Sequence, residues 1–240
     1  MENFIIDIGG FNNEDYGFEI IKRPLIEFAT KRYKEKEIEG HDGNYYIDTN
    51  SVNDIIFNVE CNFLEENLNE CRERIREVNR GLKYSLENSN KLTLNNDDEY
   101  YYKVIKYEIK DIGYDDNFYE LNKFSIEFTV EGYKYRKSNR QVKVDGFYRN
   151  SCDVSKPVYT IIGNGNCILN INGTIINCNV SNKLIIDTEH DKILEANGTY
   201  AIGKTNIKYM QDLYLRHDRN SFSVSNGFEL YMIPNLRIIS

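Results

Sequence analysis

Apolar and polar residues alternate along DIIFNVECNF, so that Ile55, Phe57, Val59, Cys61 and Phe63 fall on one side of an extended chain with mostly polar residues between them. Successive side chains of a strand point to opposite faces, and this period of two predicts a strand with one face in a core and the other in water. Phe124, Ile126, Phe128 and Val130 repeat the pattern. A chain written this way must fold as sheets that bury one face each. The departure is LEENLNECRERIREVNRGL, residues 64–82, where Leu68, Cys71, Ile75, Val78 and Leu82 recur at spacings of three and four. That is an amphipathic helix, which Gly81 is expected to help end. Its other side carries Glu66, Glu70, Arg72, Glu73, Arg76 and Glu77 and reads as solvated surface.

After Val130 the composition changes. EGYKYRKSNRQ is polar and basic, and the alternation resumes with VKVDGFYRN, which places a domain boundary between 131 and 149. At 240 residues the chain is long enough for two domains with separate cores, 1–135 with the helix 64–82, and 136–240. In the second, helical periodicity is absent and short strand-like runs alternate with Asn-Gly at 172–173, 197–198 and 226–227, the pattern of a β-sandwich. The expected fold class is mainly β, with one helix in the first domain.

One register follows from counting. If Asn172-Gly173 is a two-residue turn, Ile171 pairs with Thr174, Leu169 with Ile176 and Cys167 with Cys178. All six then share a core face, while Asn170, Asn177 and Asn179 lie on the other with Ile168 and Ile175 as exceptions. Cys167 and Cys178 would meet at a hydrogen-bonded pair, a poor geometry for a disulfide. The five cysteines (61, 71, 152, 167 and 178) form no CxxC pair, and reduced, buried thiols are expected.

Several functions are disfavoured. The net charge of -8, from 30 basic against 38 acidic residues spread along the chain, argues against tight binding to nucleic acid. MENFIIDIGGF has no basic leader, and no apolar run is of membrane length, so a soluble chain made in a cytoplasm is expected. GNGN, 163–166, precedes a strand instead of a helix and reads as a turn, not a phosphate loop. The acidic run 96–99 lacks calcium-loop spacing and reads as a hairpin tip. His41, His190 and His217 are scattered; no metal set or cofactor is expected, and no nucleophile with a base. Enzymatic activity is therefore not expected.

IEGHDGNYYID sets His41 and Asp42 between Gly40 and Gly43. An imidazole beside a carboxylate is one way to build a general base. The flanking glycines and the strand-like NYYID favour a hairpin or arch tip, with both side chains toward solvent or a neighbouring subunit. A carbohydrate-binding module would need exposed aromatics on one sandwich face, for which Tyr200, Tyr209 and Tyr214 are the candidates.

In this order of elements the chain resembles the distal tail protein family of phages with long non-contractile tails. The resemblance is carried by FIIDIGG, Pro24, the tip at Ile38, Gly40, Asp42 and Gly43, RERIREVNRGL and KLTLNNDDEYYYKVI. It continues with Asn150, Pro157, IIGNGNCILNINGTII, LIID at 184–187 and MIPNLRII. The family pattern expects glycine where this chain has Cys152 and Asp218, so two carboxy-terminal loops are expected to differ in shape. The resemblance implies an amino-terminal β-sandwich or split-barrel domain that closes a homo-hexameric ring, and a galectin-like β-sandwich projecting outward. It also implies a virion protein at the tail tip or baseplate. Its expected partners are the tail tube protein, the tape measure protein, the tail-associated hub protein and a receptor-binding protein. DNA would pass through the lumen, without specific nucleic-acid binding and without a membrane. Gly40, His41, Asp42 and Gly43 then belong to an assembly surface.

Overall fold

The computed structural model describes residues 4–63, 68–113 and 122–240, which form two compact units, Met1–Lys137 with Ile239–Ser240, and Ser138–Ile238. The start of the expected helix, 64–67, and the side chain of Leu68 lie outside the described residues.

In the first unit the elements are β1 (Ile6–Ile8), β2 (Phe11–Asn12), β3 (Phe18–Lys22), β4 (Lys31–Lys36), β5 (Tyr45–Val52), β6 (Ile55–Phe63), α1 (Leu68–Asn88), β7 (Lys91–Leu94), β8 (Tyr100–Gly113) and β9 (Asn122–Arg136). The main sheet runs in the order β2-β1-β7-β8-β9-β6-β3, with antiparallel pairing throughout. The alternating residues read from the sequence are its buried face: Ile55, Phe57, Val59, Cys61 and Phe63 from β6, and Phe124, Ile126, Phe128 and Val130 from β9. Cys71, Val78 and Leu82 of α1 pack on the same core, with Ile75 partly buried beside them. The rings contribute directly, as in the stacked pair Phe63–Phe124 at 4.7 Å. Asn96 to Glu99 form the turn between β7 and β8, where the Asp97 carboxylate accepts the Tyr100 N–H at 3.0 Å.

One sequence expectation is corrected here. The helix does not stop near Gly81 but continues to Asn88, because Leu82, Ser85 and Leu86 keep its inner stripe against the core. Gly81 is where Tyr16 lies across the helix: a Cβ at this position would collide with the Tyr16 ring, which in turn lies tilted against Phe11 at 4.3 Å. EGYKYR belongs to the first unit. It is the last part of the 15-residue strand β9, whose Tyr101↔Tyr135 pairing with β8 stacks two rings at 5.7 Å.

The second unit contains β10 (Val142–Lys143), β11 (Gly146–Asn150), β12 (Val158–Ile171), β13 (Thr174–Asp187), β14 (Lys192–Glu195), β15 (Asp218–Val224) and β16 (Glu229–Ile233), and the final strand β17 (Arg237–Ile239) leads out of it. β12 and β13 make one long hairpin. The pairs Ile171↔Thr174, Leu169↔Ile176 and Cys167↔Cys178 are those counted from the Asn172-Gly173 turn, whose two residues have φ of 53° and 90°. Both are buried thiols outside any disulfide, as are Cys61, Cys71 and Cys152.

β12 changes partners midway. Its first part, Val158–Ile162, pairs with β16, and its last, Leu169–Ile171, pairs with β15. GNGN lies between these two parts, inside the strand, so the expected turn is corrected to a bend in a continuous strand. Gly163 faces inward, where the Phe228 ring leaves no room for a Cβ, and opposite it Asn182 has a left-handed φ of 68°. Glycine on the inner side lets a strand curl around a core without crowding it. That core comprises Tyr159, Ile161, Leu169, Ile171, Ile176, Val180, Leu184, Ile186, Leu230, Met232 and their neighbours. The Tyr159 hydroxyl donates to the Leu213 carbonyl at 2.8 Å and pins the adjoining loop.

Asp218 stands in the left-handed region of φ that favours glycine. Asp218 has φ of 68°, and its carboxylate accepts from Arg149 Nε at 2.8 Å. Asn220 is buried beneath it, donating to the Arg216 and Asp218 carbonyls at 2.9 and 3.2 Å. At Cys152 the N–H donates to Asn150 Oδ1 at 2.9 Å.

Burial pushes the Cys178 thiol from 9.0 up to about 12, and raises Cys61 and Cys167 in the same direction. In the unfolded chain these thiols ionise near their ordinary value, so above it the unfolded state binds fewer protons than the folded one. Stability is thus fully present below about pH 9 and, for Cys178, falls above it by about 1.4 kcal/mol per pH unit until its folded value is reached. Urea midpoints at pH 8 and pH 10.5 test this; equal stability would contradict the burial. At pH 8 no thiol of the native protein should react with a disulfide reagent, and all five should react after denaturation.

Candidate functional site

Strands β4 and β5 form a two-stranded antiparallel sheet separate from the main sheet. All six residues of β4 are exposed, and so are residues 45–49 of β5, so neither side of this arm is covered by its own unit. A lone two-stranded hairpin is marginally stable in water, and its shape has to come from cross-strand contacts and from its root.

The root is firmly built. Asn53 donates its N–H to the Thr30 carbonyl at 2.8 Å and its Nδ2 to Thr30 Oγ1 at 3.0 Å, while its Oδ1 accepts from Arg32 Nε at 3.1 Å. Beside it the chain's last residues return to the first unit. Ala29 N–H donates to the Ser240 carbonyl at 2.8 Å, and Ser240 N–H donates to the Gly132 carbonyl at 3.1 Å. A Cβ on Gly132 would collide with the Asn53 carbonyl oxygen, so the arm's base sits directly on the backbone of β9. Leu25 and Phe28, in the extended stretch leading to the root, are 83% and 88% exposed.

Along the arm, Lys31 and Asp48 pair at 3.0 Å, and the hydrogen bond to this carboxylate raises the Lys31 ammonium above its ordinary range. Thr49 Oγ1 donates to the Arg32 carbonyl at 2.6 Å, and Tyr33 meets Tyr46 edge to face at 6.4 Å. At the tip, His41 N–H donates to the Ile38 carbonyl at 3.1 Å, and Gly40 and Gly43 take φ of 81° and 88°. These two positive φ values are the reason for glycine at both places. His41 and Asp42 stand exposed between them, at the end of a projecting hairpin.

The other histidines lie elsewhere. His190 Nδ1 contacts Asp187 Oδ2 at 2.8 Å on an exposed loop, and His217 Nδ1 lies 2.9 Å from the Cys152 carbonyl oxygen. The three candidate sugar-binding tyrosines lie in the second unit. Tyr200 sits at a bridge to Leu194, while Tyr209 and Tyr214 flank the single turn Met210–Leu213; no ring contact among the described residues joins them. Tyr214 is half-buried, with Lys156 Nζ 5.7 Å from its ring centre.

No protein-family model and no curated protein matches this sequence. The fold, by contrast, has a clear counterpart. It superposes on the crystal structure of the phage SPP1 Dit protein (gp 19.1), described as a paradigm of hub adsorption apparatus in phages infecting Gram-positive bacteria. The TM-score is 0.68 at 14% identity, over 96% of this chain and 98% of that one. The fold is that of a phage distal tail protein. At this identity the likeness establishes the distal tail fold over nearly the whole chain, mainly β with curled sheets forming half-barrels.

The tip was legible because two glycines flank it. The root was not, since Asn53, Gly132 and Ser240 carry no local pattern and meet only in three dimensions. Removing the root side chain with Asn53→Ala should speed tryptic cleavage within Lys31–Lys36 by about tenfold while lowering overall stability by no more than about 1.5 kcal/mol. Gly132→Ala forces Asn53 and Val52 away from β9 and should cost about 1–3 kcal/mol in urea unfolding. A Gly132→Ala protein as stable as wild type would contradict the close approach.

Proposed function

We propose that this chain is a structural component of a phage tail tip, six copies of which close a ring that joins the tail tube to the hub and receptor-binding apparatus. The observation that carries this reading is the nearly end-to-end likeness to a distal tail protein, in a chain whose first unit projects an arm that it leaves uncovered. In this reading residues 1–135 form the ring, the tip at Gly40, His41, Asp42 and Gly43 contacts a neighbouring copy, and residues 136–240 project as a galectin-like β-sandwich. Tail tube protein, tape measure protein, hub protein and receptor-binding protein are its partners, and the chain is made in the bacterial host's cytoplasm.

The charge suits this role. A lumen built from a chain of net charge -8 repels the phosphate backbone, so DNA passes without adhering. Closed cyclic assembly also accounts for an arm with two uncovered faces, because a ring uses two different surfaces of each copy.

Light scattering of the purified protein, alone and with tail tube protein, tests the reading. The expected mass is about six times 28.2 kDa, with ring-shaped particles in negative stain from the same peak. A protein that stays monomeric with and without its tail partner would overturn it. His41→Ala should lower the ring fraction and leave the melting temperature within about 2 °C, because the exposed tip contributes little to the fold.

A further inference from the structure

Asn-Gly occurs at four places in the second unit, 164–165, 172–173, 197–198 and 226–227. The dipeptide is chemically labile, because a glycine has no side chain to shield its nitrogen from the amide carbon of the asparagine before it. Three of the four are held against this attack. Asn164 Oδ1 accepts the Asn182 N–H at 2.8 Å inside β12, and Gly165 is paired with Val180 of β13. Asn172 Oδ1 accepts the Ser221 N–H at 2.9 Å, its Nδ2 donates to Asn220 Oδ1 at 2.9 Å, and the Gly173 N–H donates to Asn170 Oδ1 at 2.9 Å. Asn197 Oδ1 accepts from the Thr199 N–H at 3.1 Å and the Thr199 hydroxyl at 2.8 Å, and the Gly198 N–H donates to the Glu195 carbonyl at 3.0 Å.

Asn226 differs from all of these. It lies in the turn between β15 and β16, which is closed by the Phe228 N–H donating to the Ser225 carbonyl at 3.2 Å. Asn226 and Gly227 are both exposed, and no hydrogen bond among the described residues holds the Asn226 amide or the Gly227 N–H. Gly227 takes φ of 85°, with open space where a Cβ would stand.

We propose that Asn226 is a modification site, at which the chain converts spontaneously to isoaspartate and aspartate. The Gly227 nitrogen gives its proton to solvent and bonds to Asn226 Cγ; the bond from Cγ to the side-chain nitrogen breaks, and that nitrogen leaves as ammonia. Water then opens the resulting five-membered succinimide. Addition at the main-chain carbonyl gives isoaspartate, and addition at Cγ gives aspartate. One water is consumed for one ammonia released, and nothing is oxidised or reduced. The product carries one more negative charge, and isoaspartate also lengthens the main chain by one methylene. The change falls where β15 and β16, which pair with opposite ends of β12, are joined, beside the Phe228 ring that closes on Gly163. The proposal does not depend on the ring reading.

The test follows the full-length protein at pH 8, native and in guanidinium, by fragment mass spectrometry of tryptic peptides. Isoaspartate is counted separately by enzymatic methyl transfer from S-adenosylmethionine. Two hydrogen bonds of ordinary net strength correspond to about tenfold in rate, so native conversion at Asn226 should exceed that at each of the other three by about tenfold or more. In guanidinium the four rates should converge. Asn226→Gln, whose longer side chain cyclises far more slowly, should remove most of the methyl-accepting signal and keep the native circular dichroism. Native rates equal at the four positions, or a methyl-accepting signal that survives Asn226→Gln, would overturn the assignment.

Discussion

Strand β9 is the constraint on which the first unit depends. It pairs with β6 on one side and β8 on the other, so its inward residues, Phe124 to Val130, are packed from both neighbours at once. Beyond Val130 the strand has a second use. Gly132 exposes bare backbone to the Asn53 carbonyl and gives its own carbonyl to Ser240, which in turn accepts from Ala29. The arm therefore leaves the sheet from a base set by backbone contacts. Rigid placement of the base is what lets a hairpin with no core of its own present defined faces.

The second unit solves a different problem, how one long hairpin can serve two sets of neighbours. β12 pairs with β16 near its start and β15 near its end, and the change takes place where Gly163 removes a side chain from the inside of the curl. Alternation separates the hairpin's two sides: Leu169, Ile176 and Cys178 are buried, while Ile168 and Ile175 remain outside among asparagines. This outward side is polar enough to stay in water, and Asn166 and Asn179 bond across it at 3.1 Å.

Local patterns were readable wherever the physics is local. Period-two alternation identified the buried sides of β6 and β9, and a two-residue turn fixed the pairing of Cys167 with Cys178, because side-chain direction along a strand depends only on position. Gly40 and Gly43 marked the arm's tip for the same reason: a positive φ is a property of one residue. Misreadings occurred where a distant residue decides. Gly81 has the look of a helix end, yet it is a contact site for Tyr16; GNGN has the look of a turn, yet Phe228 makes it a bend in a strand. The polar composition of EGYKYR does not show that it is strand, because the stacking of Tyr101 on Tyr135 that orders it comes from another strand.

By itself, the sequence determined the strand-rich class, the single helix, the register of the Asn172-Gly173 hairpin and the tip around His41 and Asp42. It also held the resemblance to distal tail proteins, in the order of its turns and strands. Tertiary structure alone decided that β4 and β5 leave the sheet, that Asn53, Gly132 and Ser240 form their root, and that Lys31 meets Asp48 across the arm. The reason is physical. Alternation states which residues share a side, but whether that side meets a core, water or another copy depends on backbone contacts between segments far apart in the chain.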